Sequence, residues 1–117
     1  WGAHRVPVVP RLLALPDPPT AIFSANPSCS MPIVRQLHAA GRSEIVVLGF
    51  GDFPMADALT PPVSVVEQDP TELGNQAAQR LFRRIDEPDK RLPRQVVLPV
   101  TLVRRGCCQR ARMGPAA

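Results

Sequence analysis

The stretch from residue 44 to 52, Glu-Ile-Val-Val-Leu-Gly-Phe-Gly-Asp, constrains the fold of this chain more than any other. Its four consecutive apolar residues show no period-two alternation and are rich in Ile and Val, which favours a strand covered on both faces. The run stops at Gly49, Phe50, Gly51 and Asp52, and parallel sheets bind their ligands beyond the carboxyl ends of the strands. The stretch therefore predicts a central strand that ends at a binding edge. Glycines that merely permit a turn explain the same residues equally well.

A strand, a helix and a second strand are predicted around this point. Residues 20–25 form a short apolar run, and Ser28 suits the N-cap of a helix over 29–40. Apolar residues recur at helical spacing within it, and Gly41 supplies the terminator. Together with a strand over 44–49, these elements predict a right-handed βαβ unit and therefore an α/β fold with a parallel sheet.

The second half of the chain predicts one more strand and one well-marked helix. Residues 63–68 favour a strand, and Asp69 with Pro70 and Glu72 forms a capping-box pattern at the start of a helix over 70–85. An apolar stripe recurs every four residues along that helix and requires a cover. The stripe consists of Leu73, Ala77, Leu81 and Ile85.

The two ends of the chain carry weaker patterns. Residues 1–18 are rich in proline, and only 11–15 suggest the last turns of a helix. Near the other end, residues 95–99 and 100–103 predict two short extended segments, the first broken by a proline. Residues 107–117 are predicted to be a disordered tail. Residues 19–106 therefore form the predicted folded domain.

Charge and composition exclude several classes of protein. The net charge of +4 arises from residue 86 onwards, where seven of the 14 basic residues lie, and a basic end is more often solvated than DNA-reading. No apolar run approaches the roughly 18 to 20 residues that span a bilayer, and no signal sequence is present. Three cysteines without a CxxC pair predict reduced thiols and no metal site. We therefore expect a cytoplasmic protein without a cofactor and without a membrane partner.

Three polar side chains follow the predicted strands. Asn26, Asp52 and Gln68 each lie at or just past a strand end, so neighbouring strands would bring them to one crevice. Two amides and a carboxylate suit the alternating donors and acceptors of a polyol or sugar. For Asn26, a local turn ahead of Pro27 is the simpler interpretation from the residues alone.

Cys29 supports an enzymatic alternative. A thiol near a helix N-terminus can become nucleophilic, but it needs a base, and His38 lies about two turns further along the same predicted helix. We favour the interpretation of Cys29 as a small apolar filler between helix and sheet. No motif predicts catalytic residues.

Five stretches, taken in order, resemble the effector-binding region of lac repressor/gal repressor family transcription regulators and, through it, the periplasmic sugar-binding proteins. They are PTAIFSAN at 19–26, VLGFGD at 47–52, LTPPVSVVEQ at 59–68, ELG at 72–74, and VLP at 97–99 with LVRRG at 102–106. Their order and spacing make the resemblance specific. It implies the periplasmic binding protein type I-like fold, here mainly its C-terminal lobe, in an incomplete effector domain.

The resemblance also implies site residues and partners. Asn26 matches the effector-contacting Asn of the family, and Gln68 lies on the strand that crosses between lobes. Where the family has an Asp after the aromatic residue, this chain has Gly51, with Asp52 in the second position. The implied partners are a sugar effector, operator DNA through a headpiece that these residues lack, and a second copy in a homodimer.

Further departures concern the ligand and the lobes. The family's Asp after Asn26 is Pro27 here, and the sequence GFGDF at 49–53 resembles regulators of the gluconate-operon type. The resemblance to that branch implies an acidic sugar, and the missing carboxylate at Gly51 would remove a repulsion. The helix matching 70–86 belongs to the other lobe in the family, so its stripe lacks its cover.

From these residues we expect the effector-sensing part of a sugar-responsive transcription regulator. A fragment of a periplasmic-type sugar-binding protein shares the architecture and remains an alternative. A Cys-dependent α/β enzyme is the third.

Overall fold

The computed structural model describes residues 8–106, which contain three helices and four strands. In chain order these are α1 (Val8–Leu13), β1 (Ala21–Ser24), α2 (Pro27–Ala39), β2 (Val46–Phe50), β3 (Ser64–Glu67), α3 (Pro70–Asp86) and β4 (Thr101–Val103). The chain divides into two compact units. Among the described residues, the first unit contains 8–67 and 102–106, and the second is Gln68–Thr101. The predicted tail at 107–117 lies outside the described residues.

The strands of the sheet follow the order β1, β2, β3, β4. β1 pairs with β2 and β2 pairs with β3, both in parallel, with Ser24 opposite Gly49 and Leu48 opposite Ser64. Helix α2 connects β1 to β2 and packs on both of them. The prediction of an α/β fold with a parallel sheet is therefore confirmed, and the strand bounds differ from the predicted ones by one or two residues.

The expectation that the central strand is covered on both faces was wrong for this unit. Exposure alternates along β2, where Val47 and Gly49 are buried and Val46, Leu48 and Phe50 are half-buried. The alternation arises because successive side chains of a strand point to opposite faces, and α2 packs on β1 and β2. The apolar run over 45–48 thus belongs to a strand with one buried face and one half-buried face.

The core of the first unit lies between the sheet, α2 and α1. Its buried apolar residues are Val9, Leu37, Ile45, Val47, Phe53, Ala56, Val63 and Val65. Val9 is 1% exposed, so α1 belongs to this core although its sequence predicted only a helix end over 11–15. Pro10 is accommodated because it lies within the first turn of that helix, where its missing N–H is not needed.

Helix α2 begins and ends with local hydrogen bonds. Its N-cap is Asn26, two residues before the predicted Ser28, because the Asn26 side chain accepts from the Cys29 backbone N–H. At the other end Gly41 has φ +67°, and the N–H groups of Gly41 and Arg42 donate to the carbonyl oxygens of His38 and Leu37. This is the Schellman pattern that the glycine predicted.

The second unit is built on α3. Asp69 is its N-cap and accepts from the backbone N–H groups of Thr71 and Glu72 at 2.9 and 3.0 Å, which confirms the predicted start. Further on, the Arg80 guanidinium donates to the Pro93 carbonyl oxygen. The two extended segments predicted over 95–103 reduce to β4 at Thr101–Val103, since residues 95–100 form no strand.

No residue of α3 is buried. Its large apolar side chains are about half exposed or more, from 49% for Leu73 to 63% for Ile85. The stripe that requires a cover therefore has none among the described residues. Within residues 8–106 we also find no helix that is both long enough and apolar enough to cross a membrane.

Candidate functional site

Asn26 lies two residues past the end of β1 and is exposed. Its Oδ1 lies 3.0 Å from the Cys29 backbone nitrogen, from which it accepts a hydrogen bond as the cap of α2. The interpretation of Asn26 as a local turn residue thus accounts for its side-chain oxygen, Oδ1, which is occupied by the helix cap. Its amide nitrogen is a donor group, and this donor is what the side chain can offer to a ligand.

A pair of buried serines lies under this turn. The Ser30 hydroxyl donates to the Ser24 Oγ at 2.9 Å. Both hydroxyl oxygens also lie within 3.2 Å of the backbone carbonyl oxygen of Asn26. Ser24 and Ser30 are 2% and 0% exposed. A Cβ at Gly49 would lie 3.2 Å from the Ser30 Oγ, so the neighbouring strand leaves room for this pair. The serines therefore fix the backbone that presents Asn26.

Gly51 lies just past β2, at the same edge of the sheet. Its backbone N–H donates to the Val66 carbonyl oxygen at 2.8 Å, which ties it to β3. Its φ of +81° lies in the left-handed region that favours glycine. A Cβ placed there would lie 2.9 Å from the Cγ of Pro27, the residue that follows Asn26. Gly51 and Asn26 are thus brought close together through Pro27.

Asp52 is engaged by an arginine from the end of the chain. The Arg105 Nη1 and Nη2 atoms donate to Asp52 Oδ1 and Oδ2 at 2.8 and 2.6 Å, a bidentate pair. The Phe53 backbone N–H donates to Oδ1 as well. Arg105 is fixed in turn, because its backbone N–H donates to the Ser64 Oγ and its Nη1 to the Val63 carbonyl oxygen.

This pairing changes the titration of both groups. The hydrogen bonds from the Arg105 guanidinium hold the pKa of the Asp52 carboxyl below its ordinary value, with a smaller contribution from the Phe53 N–H. The Asp52 carboxylate likewise raises the pKa of Arg105. The Asp52 side chain remains 36% exposed. It is therefore a charged, partly accessible acceptor whose charge is compensated locally.

Gln68 follows β3 and is the first residue of the second unit. Of the predicted site residues, Asn26, Gly51 and Asp52 lie in the first unit at the carboxyl ends of two paired parallel strands. The role of Gln68 as a fourth contact stays a prediction.

Cys29 is exposed, so the prediction that it fills space between helix and sheet was wrong. The reason is its position in the first turn of α2, where Ser30 rather than Cys29 points into the core. In the described part of the chain, no group of three or more His, Cys, Asp or Glu side chains is arranged to hold a metal ion.

A cavity of about 510 Å³ lies at the opposite end of β2. It is bordered by the later turns of α2, by Ile45 and Val46, and by residues 58–61 and 63. None of the predicted site residues lines it.

Arg105 was not recognised as part of this edge from the sequence. It was placed in a solvated basic end, and nothing in the pattern pairs it with a carboxylate 53 positions earlier. Pro27 and Gly51 were easier to single out from the sequence than Arg105, because both residues depart from the family pattern.

Comparison with known proteins identifies the family. The family model of the periplasmic binding protein-like domain matches residues 2–108. The lactose operon repressor of Rhizobium radiobacter is 32% identical over 102 residues, which cover 85% of this chain and 88% of that protein. The chain belongs to the lac repressor/gal repressor family. The resemblance carried by the five sequence stretches is therefore confirmed.

Other members of the family are longer. The probable transcriptional repressor ExuR of Bacillus subtilis is 35% identical over 82 residues, which cover 68% of this chain and 25% of that protein. A lac repressor family regulator of Enterococcus faecalis, solved with bound ribose, is 30% identical with a TM-score of 0.69 and covers 84% of this chain and 37% of that one. The chain thus spans 25% and 37% of these two relatives. The curated relatives named here are repressors rather than enzymes.

Proposed function

We propose that this chain is the effector-sensing part of a lac repressor family transcription regulator. It binds a sugar or sugar acid at the carboxyl edge of its sheet and thereby controls operator binding by a DNA-binding headpiece outside these residues. The observation that carries the proposal is the placement of Asn26, Gly51 and Asp52 at the ends of adjacent parallel strands, in a chain of this family. The regulator is not an enzyme and acts in the cytoplasm.

The polar groups of this edge support a hydroxylated ligand. The Asn26 amide nitrogen can donate to a hydroxyl oxygen, and the exposed part of the Asp52 carboxylate can accept from a hydroxyl group. Arg105 keeps that carboxylate ionised and oriented. The relative from Enterococcus faecalis binds ribose, which supports a sugar as the class of effector.

Titration of the isotope-labelled chain with sugars tests this proposal. We expect ¹⁵N–¹H spectra with up to about 100 mM D-ribose or sodium D-gluconate to show saturable shifts at the amides of Asn26, Gly51 and Asp52, because half of a cleft binds only weakly. Asn26→Ala should weaken the titration. Ser28→Ala, which changes an exposed neighbour, serves as the control. Shifts confined to α3, or none at all, would refute the proposed site.

Control of DNA binding follows from differential affinity. In the whole regulator, a homodimer, closing two lobes over the effector shifts the population between states that bind the operator differently. By themselves, the 117 residues are expected not to recognise an operator. In a band-shift experiment we therefore expect no specific retardation of a DNA fragment, and specific retardation would contradict the proposal.

A further inference from the structure

The cavity at the amino end of β2 reaches the hydrophobic core of the first unit. Its volume is about 510 Å³, within the range of roughly 300–1,000 Å³ that is typical of small-molecule sites. The later turns of α2 form one wall and residues 58–61 form the other. Between them the lining is buried core, only 3–6% exposed, and consists of Leu37, Ile45, Val47 and Val63. A molecule in this cavity would therefore lie on a mainly apolar surface.

The charged groups that border the cavity leave one positive charge without a counterion. Arg35 and His38 are exposed and three positions apart on α2, so their side chains are neighbours on the same face of the helix. In the part of the chain that the structure describes, Arg35 takes part in no ion pair. Glu44 also lines the cavity, but Arg42 pairs with its carboxylate. An anion at this border would thus meet an unpaired guanidinium and an imidazole N–H group.

We propose that this cavity is a second binding site, for a free monocarboxylate with a short apolar chain. The carboxylate binds at Arg35 and His38, and the chain of the ligand lies on the core residues between the two walls. A neutral apolar molecule would gain nothing from the guanidinium, and a sugar would place hydroxyl groups against an apolar lining. The site does not depend on the proposed function, because none of the sugar-site residues lines the cavity.

A series of carboxylates of increasing length tests the apolar part of the site. Sodium butanoate, hexanoate and octanoate are titrated into the ¹⁵N-labelled chain, and Kd is taken from the shifts of the Val34, Arg35 and Leu59 amides. Burial of each added CH₂ group should tighten binding about two- to fourfold. Shifts that do not saturate at these amides, or a Kd that does not change with chain length, would overturn the proposal.

Arg35→Gln tests the charged part of the site. Hexanoate and 1-hexanol have the same apolar chain and differ in charge, so only hexanoate should respond. We expect the variant to bind hexanoate about fivefold more weakly and 1-hexanol within about twofold of the original chain. Arg83→Gln removes the same charge from an exposed residue of α3 and should change neither Kd. Equal weakening of both ligands by Arg35→Gln, or no weakening of hexanoate, would overturn the assignment of a carboxylate.

Ala58→Phe tests whether the ligand lies inside the cavity. Ala58 lines it and is exposed, so a larger side chain can fill the space without disturbing the core. Hexanoate and 1-hexanol should both bind at least about fivefold more weakly, with Tm within about 2 °C of the original chain. Ala39→Phe repeats the test from an exposed lining residue of α2.

Two further results would contradict the proposal. The first is unchanged binding of hexanoate by both filled variants. The second is a dimer of the original chain in analytical ultracentrifugation that Ala58→Phe converts to a monomer, because a second copy would then be the occupant of the cavity. Neither result affects the sugar site, which the ribose titration tests separately at Asn26, Gly51 and Asp52.

Discussion

At the residue scale, the pair of Asp52 and Arg105 joins two parts of the chain that are 53 positions apart. Its geometry is bidentate, and the guanidinium side chain is only 17% exposed. The carboxylate is 36% exposed, so solvent screening limits the stabilisation to about 1 kcal/mol. The pair fixes the first side chain beyond Gly51.

Arg105→Gln should make the stability of the chain less dependent on acid pH. The folded pKa of Asp52 lies below its unfolded value, so the stabilisation is present above the unfolded pKa of about 3.9 and is lost as pH falls through the folded pKa. We expect the variant to lose about 1 kcal/mol in urea unfolding at pH 6 and the gap to the original chain to close below about pH 4.

The control for this experiment is Arg104→Gln, which removes the same charge from the exposed neighbouring residue. Its urea unfolding should match the original chain at both pH values. A gap of constant size for Arg105→Gln from about pH 6 to about pH 2.5 would contradict the role assigned to the ion pair.

At the element scale, α2 and α3 have the same kind of N-terminal cap but differ in how much of their surface is buried. Each has a side-chain cap, Asn26 or Asp69, followed by a proline at the first helical position. Helix α2 buries Ser30 and Leu37 against the sheet, whereas α3 buries no residue. Because isolated helices are only marginally stable in water, α3 depends more on its cap than α2 does.

Asp69→Ala should therefore unwind the first turn of α3. Both N–H groups bound by the Asp69 Oδ1 lose their partner, and we expect a loss of about 1 kcal/mol in local helix stability. Hydrogen exchange at the amides of Thr71 and Glu72 should accelerate about fivefold, since RT ln 5 is about 1 kcal/mol.

Asp69→Asn is the matched control, because it keeps the acceptor oxygen and costs little as an N-cap. Exchange at the amides within α2 should be the same in all three proteins. Equal exchange rates for Asp69→Ala and Asp69→Asn would show that the cap hydrogen bonds do not hold this turn.

At the scale of the whole molecule, the exposed apolar side chains concentrate in the second unit. Leu81, Phe82 and Ile85 are 57%, 61% and 63% exposed on one helix, and Val97 in the same unit is 79% exposed. Several large apolar side chains left exposed on one helix are unusual on a monomeric protein.

The chain should accordingly bind a hydrophobic dye in its folded state. Phe82→Glu should reduce the fluorescence of 8-anilinonaphthalene-1-sulfonate by about half, because it removes one of the largest exposed apolar groups. Its melting temperature should stay within about 2 °C of the original, since no core contact is lost.

Gln79→Glu adds the same charge at an exposed polar position of the same helix and serves as the control. It should leave the fluorescence unchanged. If both variants lower the fluorescence equally, charge rather than the apolar surface determines dye binding.

The sequence by itself determined the elements whose signals are local. The strand–helix–strand unit, the glycine that ends α2 and the cap of α3 depend on residues within a few positions of each other, and the structure has them nearly where they were predicted. The family could also be recognised from the ordered stretches alone.

Only the tertiary structure decided which polar groups of the edge are available. In the structure the Asn26 Oδ1 caps α2 and Asp52 pairs with Arg105. The Pro27 ring occupies the space that a Cβ at Gly51 would need. The physical reason is that hydrogen bonds and steric overlap depend on distances of a few tenths of an ångström between atoms far apart in the chain. Patterns of residue type along a sequence report which groups are present, and only folding determines which of them are already satisfied.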